Sequence, residues 1–265
     1  MKRLLRSVYS LLVMFGIDPR RMFYAVRGLP RYYLDLRRLR SQSASGERAF
    51  VFGRPFPSLG ERHAASGAAK GHYFHQDLLV ARRIHSSVPH THVDVGSRVD
   101  GFVAHVASFR QIHVIDIRPL PCTIPNIAFL QADMMQPIID GTLIDCCDSL
   151  SCLHAIEHFG LGRYGDPINS NGHLLGLSNL HRILKSGGKL YFSVPIGPQR
   201  IEFNAHRVFS VSYLLSLFES QYRIDSFSFI DDDGALHENA TMSTNQVRTN
   251  FGCVYGCGVF EMTKL

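Results

Sequence analysis

The stretch from His90 to Asp116 constrains this chain most. An apolar run, His92-Val93-Asp94-Val95, is interrupted by Gly96-Ser97-Arg98. A helical pattern follows from Val99 to Val106, and a second apolar run, Ile112-His113-Val114-Ile115, stops on Asp116. Two strands joined through a helix lie parallel, because antiparallel neighbours need only a tight turn, and the crossover is right-handed. The expected fold is therefore α/β, with a Rossmann-like, mostly parallel sheet whose carboxyl edge is the place for a ligand.

Each residue of the turn has a separable purpose. Gly96 has no Cβ, so the backbone can bend sharply and a ligand can approach its N–H groups, while the helix that follows starts with unpaired donors. Asp116 stands twenty positions after Gly96 at the end of the second strand, where a carboxylate can accept from both hydroxyls of a ribose. The run Gly96-Ser97-Arg98-Val99-Asp100-Gly101 lacks the GxGxxG spacing that seats a pyrophosphate.

Further strands follow in order. Ile127 to Leu130 leads to Asp133-Met134, where the carboxylate can accept from an exocyclic adenine amine and the Met134 N–H can donate to a ring nitrogen. Cys147 to Leu153 leads to His154-Ala155-Ile156-Glu157-His158, and a glycine-rich tract, Gly160 to Pro167, reads as a lid or acceptor loop. A helix is predicted from His173 to Lys185, ending at Ser186-Gly187-Gly188, then a strand from Lys189 to Val194. Ser210 is the expected N-cap of a helix from Val211 to Ser220. Two late strands, Tyr222 to Ile230 and Cys253 to Met262, most simply form a hairpin-like edge.

Before the sheet the chain changes character. Residues 1–40 hold ten Lys/Arg against Asp18 and Asp35, a charge of +8, so the net +6 of the chain leaves the remainder at −2. The basic balance therefore belongs to an arm, read as two amphipathic helices, and no nucleic-acid partner is expected. Two readings of the arm stand: packing against the rest of the protein or a second subunit, and resting on an anionic membrane surface. Its apolar run from Val8 to Ile17 is too short to span a bilayer. Residues 41–70 read as a linker and 71–265 as the α/β domain; a helix over Tyr73–Ser86 would place Tyr73, His75 and Gln76 near the ligand edge.

Six cysteines without a CxxC pair read as free thiols in a reducing, cytoplasmic setting, and no metal site is suggested by fourteen scattered histidines.

The order of parts resembles the class I S-adenosylmethionine-dependent methyltransferases. The resemblance is carried by Asp94-Val95-Gly96-Ser97, Asp116, Asp133, Ile156-Glu157-His158 and Leu184-Lys185-Ser186-Gly187-Gly188-Lys189-Leu190. The tract His154 to Pro167, together with Phe203-Asn204-Ala205-His206-Arg207-Val208-Phe209, resembles more narrowly the DUF268 family. This implies a seven-stranded sheet with its last strand antiparallel, S-adenosyl-L-methionine as cofactor, and a cofactor site of Asp94, Gly96, Ser97, Arg98, Asp116, Ile117, Asp133 and Met134. His154, His158 and His206 are the candidate general bases, with Asp166 or Glu157 to orient them. Arg163, Tyr164, Asp166 and Arg207 are the candidate acceptor-binding residues. Arg98 and Asp100 stand where family members carry further glycines; Arg98 either narrows the methionine space or pairs with its carboxylate.

Three function classes follow. The first is a methyltransferase acting on a small-molecule or saccharide acceptor, in glycan or cell-surface polysaccharide assembly, peripheral at a membrane. The second is a nicotinamide-dependent oxidoreductase, disfavoured by the missing pyrophosphate glycines. The third is a catalytically inactive scaffold of the same fold, supported by Arg98 and Asp100. Oligomeric state is open.

Overall fold

The computed structural model describes residues 8–9, 11–44, 50–139 and 141–265. It divides into two units, Met1–Ala68 and Ala69–Leu265. The basic and apolar residues Lys2, Arg3, Leu4, Leu5 and Arg6 of the arm lie outside the described residues.

In the first unit, helix α1 runs from Pro19 to Ala44. Asp18 starts it: its Oδ1 accepts from the Arg20 N–H at 2.9 Å, and proline at the first helical position loses no bond. The helix runs four residues into the segment read as linker, because Ser41 to Ala44 contain neither glycine nor proline and Ser41 Oγ donates to the Arg38 carbonyl at 2.8 Å. Met22, Phe23, Tyr24, Val26, Tyr33 and Leu34 are exposed along it. No described helix is long and apolar enough to cross a membrane.

The second unit is built on ten strands and five helices of the described residues. Helix α2 (His72–Ser87) precedes β1 (His92–Val95), α3 (Ala104–Ala107), β2 (Ile112–Asp116), β3 (Ile127–Gln131) and β4 (Cys147–Leu153). Helix α4 (Gly172–Ile183), β5 (Leu184–Ile196), β6 (Arg200–Glu202) and β7 (His206–Val208) follow. Then come α5 (Val211–Phe218), β8 (Tyr222–Ile230), β9 (Leu236–His237), α6 (Thr244–Arg248) and β10 (Gly256–Lys264). Eight strands form one sheet in the order β3-β2-β1-β4-β5-β10-β8-β9, while β6 and β7 make a separate hairpin.

Strands β1 to β5 pair in parallel, and β10 runs antiparallel to both β5 and β8. The late strands pair as expected, but they are not an edge hairpin: β10 inserts between β5 and β8, and the two-residue β9 closes the border. Burial explains the placement. Phe260 and Met262 face one side of β10 and Cys257 and Val259 the other, all buried, so this strand needs cover on both faces and neighbours on both edges.

The same period of two sorts the whole sheet into two cores. Val93, Val95, Leu190, Phe192 and Val194 pack with Leu180, Ile183, Leu214 and Phe218 of α4 and α5. On the other face Val114, Leu153 and Tyr191 pack with Leu79, Val80 and Ile84 of α2 and Val106 of α3. Helix α4 stops at Ile183, two residues before the predicted end, because Leu184 already bridges to Cys147 and the chain bulges at Gly187-Gly188 before pairing resumes. Ser210 caps α5 as expected, its side chain accepting from the Tyr213 N–H.

The helix predicted after the glycine turn is largely a π-turn. Val99–Val103 is π-helical with Gly101 at φ −123° and ψ −116°, and only four residues of α3 are α-helical. Its dipole is correspondingly small, so the loop's own N–H groups and side chains matter more than a helix end.

Candidate active site

Gly96 sits at φ +80°, and its N–H donates to the Ile115 carbonyl at 2.9 Å. A Cβ here would lie 2.6 Å from Ala155 Cβ, so the crossing of the β1 and β4 ends admits only glycine. Asp94 lies beneath this turn, fully buried. One oxygen accepts from Ser97 Oγ at 2.9 Å and Ser151 Oγ at 2.5 Å, the other from the Ser97 N–H at 3.1 Å. Ser151 also meets His92 Nε2 at 3.1 Å, and His92 Nδ1 meets Ser149 Oγ at 2.8 Å. Burial outweighs the serine bonds and raises the Asp94 carboxyl to about 7; burial also lowers His92 to about 3, leaving it neutral. Asp94 and Ser97 thus shape the loop from below and do not line the ligand cleft.

That cleft lies at the carboxyl ends of β1 to β4 and opens to solvent. Of the predicted cofactor and acceptor residues it gathers Gly96, Arg98, Asp116, Ile117, Asp133, Met134, His154, His158, Tyr164 and Asp166. The walls between the polar groups are apolar, with Val95, Ile115, Ala132, Met135 and Phe159, as a nucleoside-sized ligand requires. Tyr73 also lines it, whereas Gln76 is buried away from it on Ser193 Oγ.

Arg118 was not foreseen. Its backbone N–H and Nε donate to Asp116 Oδ1 at 2.8 and 2.9 Å, one terminal nitrogen reaches Asp116 Oδ2 at 2.5 Å and the Gly96 carbonyl at 3.3 Å, and its guanidinium lies 4.7 Å over the Tyr164 ring. The only signal in the sequence was its position two residues after the acid. Arg98 is exposed and paired through Nε and a terminal nitrogen with both oxygens of Asp100, at 2.9 and 2.6 Å. The pair sits at the rim. Asp133 turns its own loop, accepting from the Met135 N–H at 2.9 Å and from Gln136 Nε2 at 3.3 Å.

At the β4 end the backbone of His154 is left-handed, φ +49°, a costly conformation for this residue, held by its N–H donating to the Ser193 carbonyl at 3.0 Å. Its Nδ1 meets the fully buried Glu157 carboxylate at 2.8 Å, and His158 Nε2 stands 3.6 Å from the same oxygen. Burial raises the Glu157 pKa, but His154 more than offsets it and holds the carboxylate below its usual range. His158 Nδ1 meets the Ala205 carbonyl at 2.6 Å; burial lowers its pKa despite Glu157. Glu157 is therefore the orienting carboxylate, and Asp166 is not. Asp166 Oδ2 accepts from the Gly160 and Gly162 N–H groups at 2.8 and 3.1 Å and Oδ1 from the Tyr164 N–H at 3.1 Å, so it staples the glycine tract.

Three candidates lie off the cleft. His206 faces Glu202 at 3.1 Å and Tyr255. Arg163 donates to the Ala205 carbonyl at 3.0 Å. Arg207 is buried, donating to the Phe159 and Ser170 carbonyls at 2.6 and 3.2 Å; it braces the tract rather than facing an acceptor, since β7 turns its side chain inward. Beyond the sequence reading, His72, His154 and Cys257 bring potential metal-ligating atoms within 4.8 Å of one another.

The sheet order is that of a Rossmann-like fold, with the cleft at the carboxyl ends of its parallel strands. Residues 142–251 match the family model described as Caenorhabditis protein of unknown function, DUF268, bearing out the narrower resemblance. No curated protein matches the chain significantly. Among solved structures, the N-methyltransferase NodS from Bradyrhizobium japonicum WM9, in complex with S-adenosylhomocysteine, is 11% identical with a TM-score of 0.47, over 73% of this chain and 88% of that one. The Burkholderia thailandensis 1,6-didemethyltoxoflavin-N1-methyltransferase, with 1,6-didemethyltoxoflavin and S-adenosylhomocysteine bound, is 13% identical with a TM-score of 0.49, over 71% and 78%. The complex between the Haloferax volcanii Trm112 methyltransferase activator and a methyltransferase is 15% identical with a TM-score of 0.48, over 72% and 89%.

Proposed function

We propose that the protein is an S-adenosylmethionine-dependent methyltransferase acting on a small-molecule or saccharide acceptor. The observation that carries the reading is the convergence, on one cleft, of the glycine turn after β1, the acid at the end of β2 and the acid after β3. Asp116 would hold the ribose hydroxyls, Asp133 the adenine amine, and Ile117, Met134 and Phe159 the faces of the base. When bound, the cofactor's sulfonium supplies the methyl group.

The chain's own part is to align the acceptor and exclude water, with one residue to take a proton if the acceptor is a hydroxyl. His158 suits that role best. Its Nδ1–H is tied to the Ala205 carbonyl, which leaves Nε2 as the basic nitrogen, and Glu157 at 3.6 Å favours a proton arriving there. Tyr164 packs edge-on against His158 at 5.4 Å and roofs the cleft with Arg118. The exposed apolar and arginine residues of α1 support an anionic membrane surface as the arm's partner, and a cytoplasmic protein peripheral to it.

Calorimetric titration with S-adenosylhomocysteine tests the reading. Wild type should bind one equivalent, and Asp116→Ala should weaken binding at least 100-fold, since two hydrogen bonds to a carboxylate contribute about 3 kcal/mol or more. Unchanged affinity in that variant removes the ribose assignment. A second reading, a catalytically inactive scaffold, is favoured by Arg118, which spans Gly96 and Asp116 where the ribose would sit. If neither wild type nor Arg118→Ala binds the nucleoside, the scaffold reading replaces the enzyme.

A further inference from the structure

Behind the cleft, three side chains from three distant parts of the chain meet. His72 opens α2, His154 follows β4, and Cys257 lies in β10. Each offers a ligand atom, and these atoms lie within 4.8 Å of one another. The His72 and His154 rings are stacked, with centroids 5.1 Å apart and planes 20° from parallel. Cys257 is fully buried and His154 nearly so.

Two further observations point to a ligand. Glu157 takes the Nδ1 side of His154 at 2.8 Å, which leaves Nε2 as the remaining ring nitrogen, and that atom is buried with no hydrogen-bond partner. A buried polar atom without a partner costs free energy unless something satisfies it. A carboxylate behind the far nitrogen of an imidazole is also the arrangement that fixes the tautomer and orients a metal-ligating histidine. Cys257 Sγ has long contacts of 3.8 Å to Gln76 Oε1 and to the Gly258 carbonyl, and its remaining interaction is with His154, a member of the same cluster.

We propose that His72, His154 Nε2 and Cys257 Sγ form a binding site for a zinc-type divalent ion, with Glu157 as the carboxylate that orients His154. One thiolate and two imidazoles are a borderline-soft donor set that suits zinc and disfavours magnesium or calcium. Tetrahedral zinc with bonds of about 2.0–2.3 Å sets its ligand atoms about 3.3–3.6 Å apart, so the longest edge of the triangle must contract by up to about 1.5 Å. Rotation of His72, the least buried of the three and the first residue of its helix, supplies that movement. Three protein ligands leave a fourth position for water or for an acceptor atom. The ion would tie the start of α2 to the sheet beside the cleft. The site does not depend on nucleoside binding.

The test uses the full chain, stripped with a chelator under reducing conditions and titrated with cobalt(II), then with zinc. One equivalent of cobalt should give tetrahedral visible bands and a thiolate-to-metal charge-transfer band in the near ultraviolet, and zinc should abolish both. Cys257→Ser should lose the charge-transfer band, whereas Cys122→Ser, at an exposed thiol outside the cluster, should keep it. His72→Ala, at the half-buried ligand, should weaken binding at least 100-fold, and Glu157→Gln should weaken it about 10–100-fold while retaining the band. Circular dichroism and S-adenosylhomocysteine titration of each variant report folding and the cofactor site separately. No band in the wild type, or a band that survives Cys257→Ser, overturns the proposal.

Discussion

Asp94 makes the stability of this protein depend on pH in a direction opposite to most carboxylates. Its side chain is fully buried under the glycine turn, and burial lifts its pKa from 3.8 to about 7 in the folded state. Below pH 3.8 the group is neutral in both folded and unfolded chains. Between that pH and about 7 the unfolded chain releases the proton and the folded chain keeps it, so stability falls as pH rises and levels off above pH 7. The full difference corresponds to about 4 kcal/mol. Asp94→Asn should remove it, because the amide can accept from the Ser97 N–H and donate to a serine hydroxyl, and both hydroxyls can reorient. Urea unfolding from pH 5 to pH 8.5 would measure it. Wild type should lose about 2.7 kcal/mol relative to Asp94→Asn across that range, the part of the difference that lies above pH 5. Parallel stability curves for the two proteins would refute the argument that this carboxyl is neutral in the fold.

The other expectations are simpler. Gly96→Ala should cost about 2–4 kcal/mol and abolish S-adenosylhomocysteine binding, since a methyl group would meet Ala155 at 2.6 Å with the backbone at φ +80°; a melting temperature within a degree of wild type would contradict it. Arg207→Met should destabilise by about 3 kcal/mol by leaving the Phe159 and Ser170 carbonyls without their donor, and should expose the Gly160–Pro167 tract to limited proteolysis. An unchanged cleavage rate would remove its bracing role. Sedimentation with anionic vesicles should retain the full chain, and Arg20→Glu, Arg21→Glu and Arg27→Glu together should release it, at about 1 kcal/mol per basic residue; retention by neutral vesicles would point to another partner.

Much of the fold was legible because its determinants are local. The strands β1, β2, β4 and β8 fall where alternation and composition put them, Ser210 caps α5, and the acids Asp116 and Asp133 stand at strand ends on the cleft. The π-turn after Gly96 was not legible, since a glycine at position 101 and an ion pair between Arg98 and Asp100 interrupt a pattern that still reads as helical. Arg207 looked like a ligand-facing cation in a loop. Only the β6–β7 hairpin, which aims it at backbone carbonyls, shows it to be a brace.

What the sequence alone determined is the βαβ order and the positions of the strand-end acids. These depend on side-chain period and on residues a few positions apart. The insertion of β10 between β5 and β8, the hold of Arg118 on Asp116 and Gly96, and the meeting of His72, His154 and Cys257 were decided by tertiary structure. The three metal-capable residues are separated by 82 and 103 positions, and no local pattern carries the order in which strands lie side by side. That order is set by which faces and edges must be covered, a property of the whole sheet.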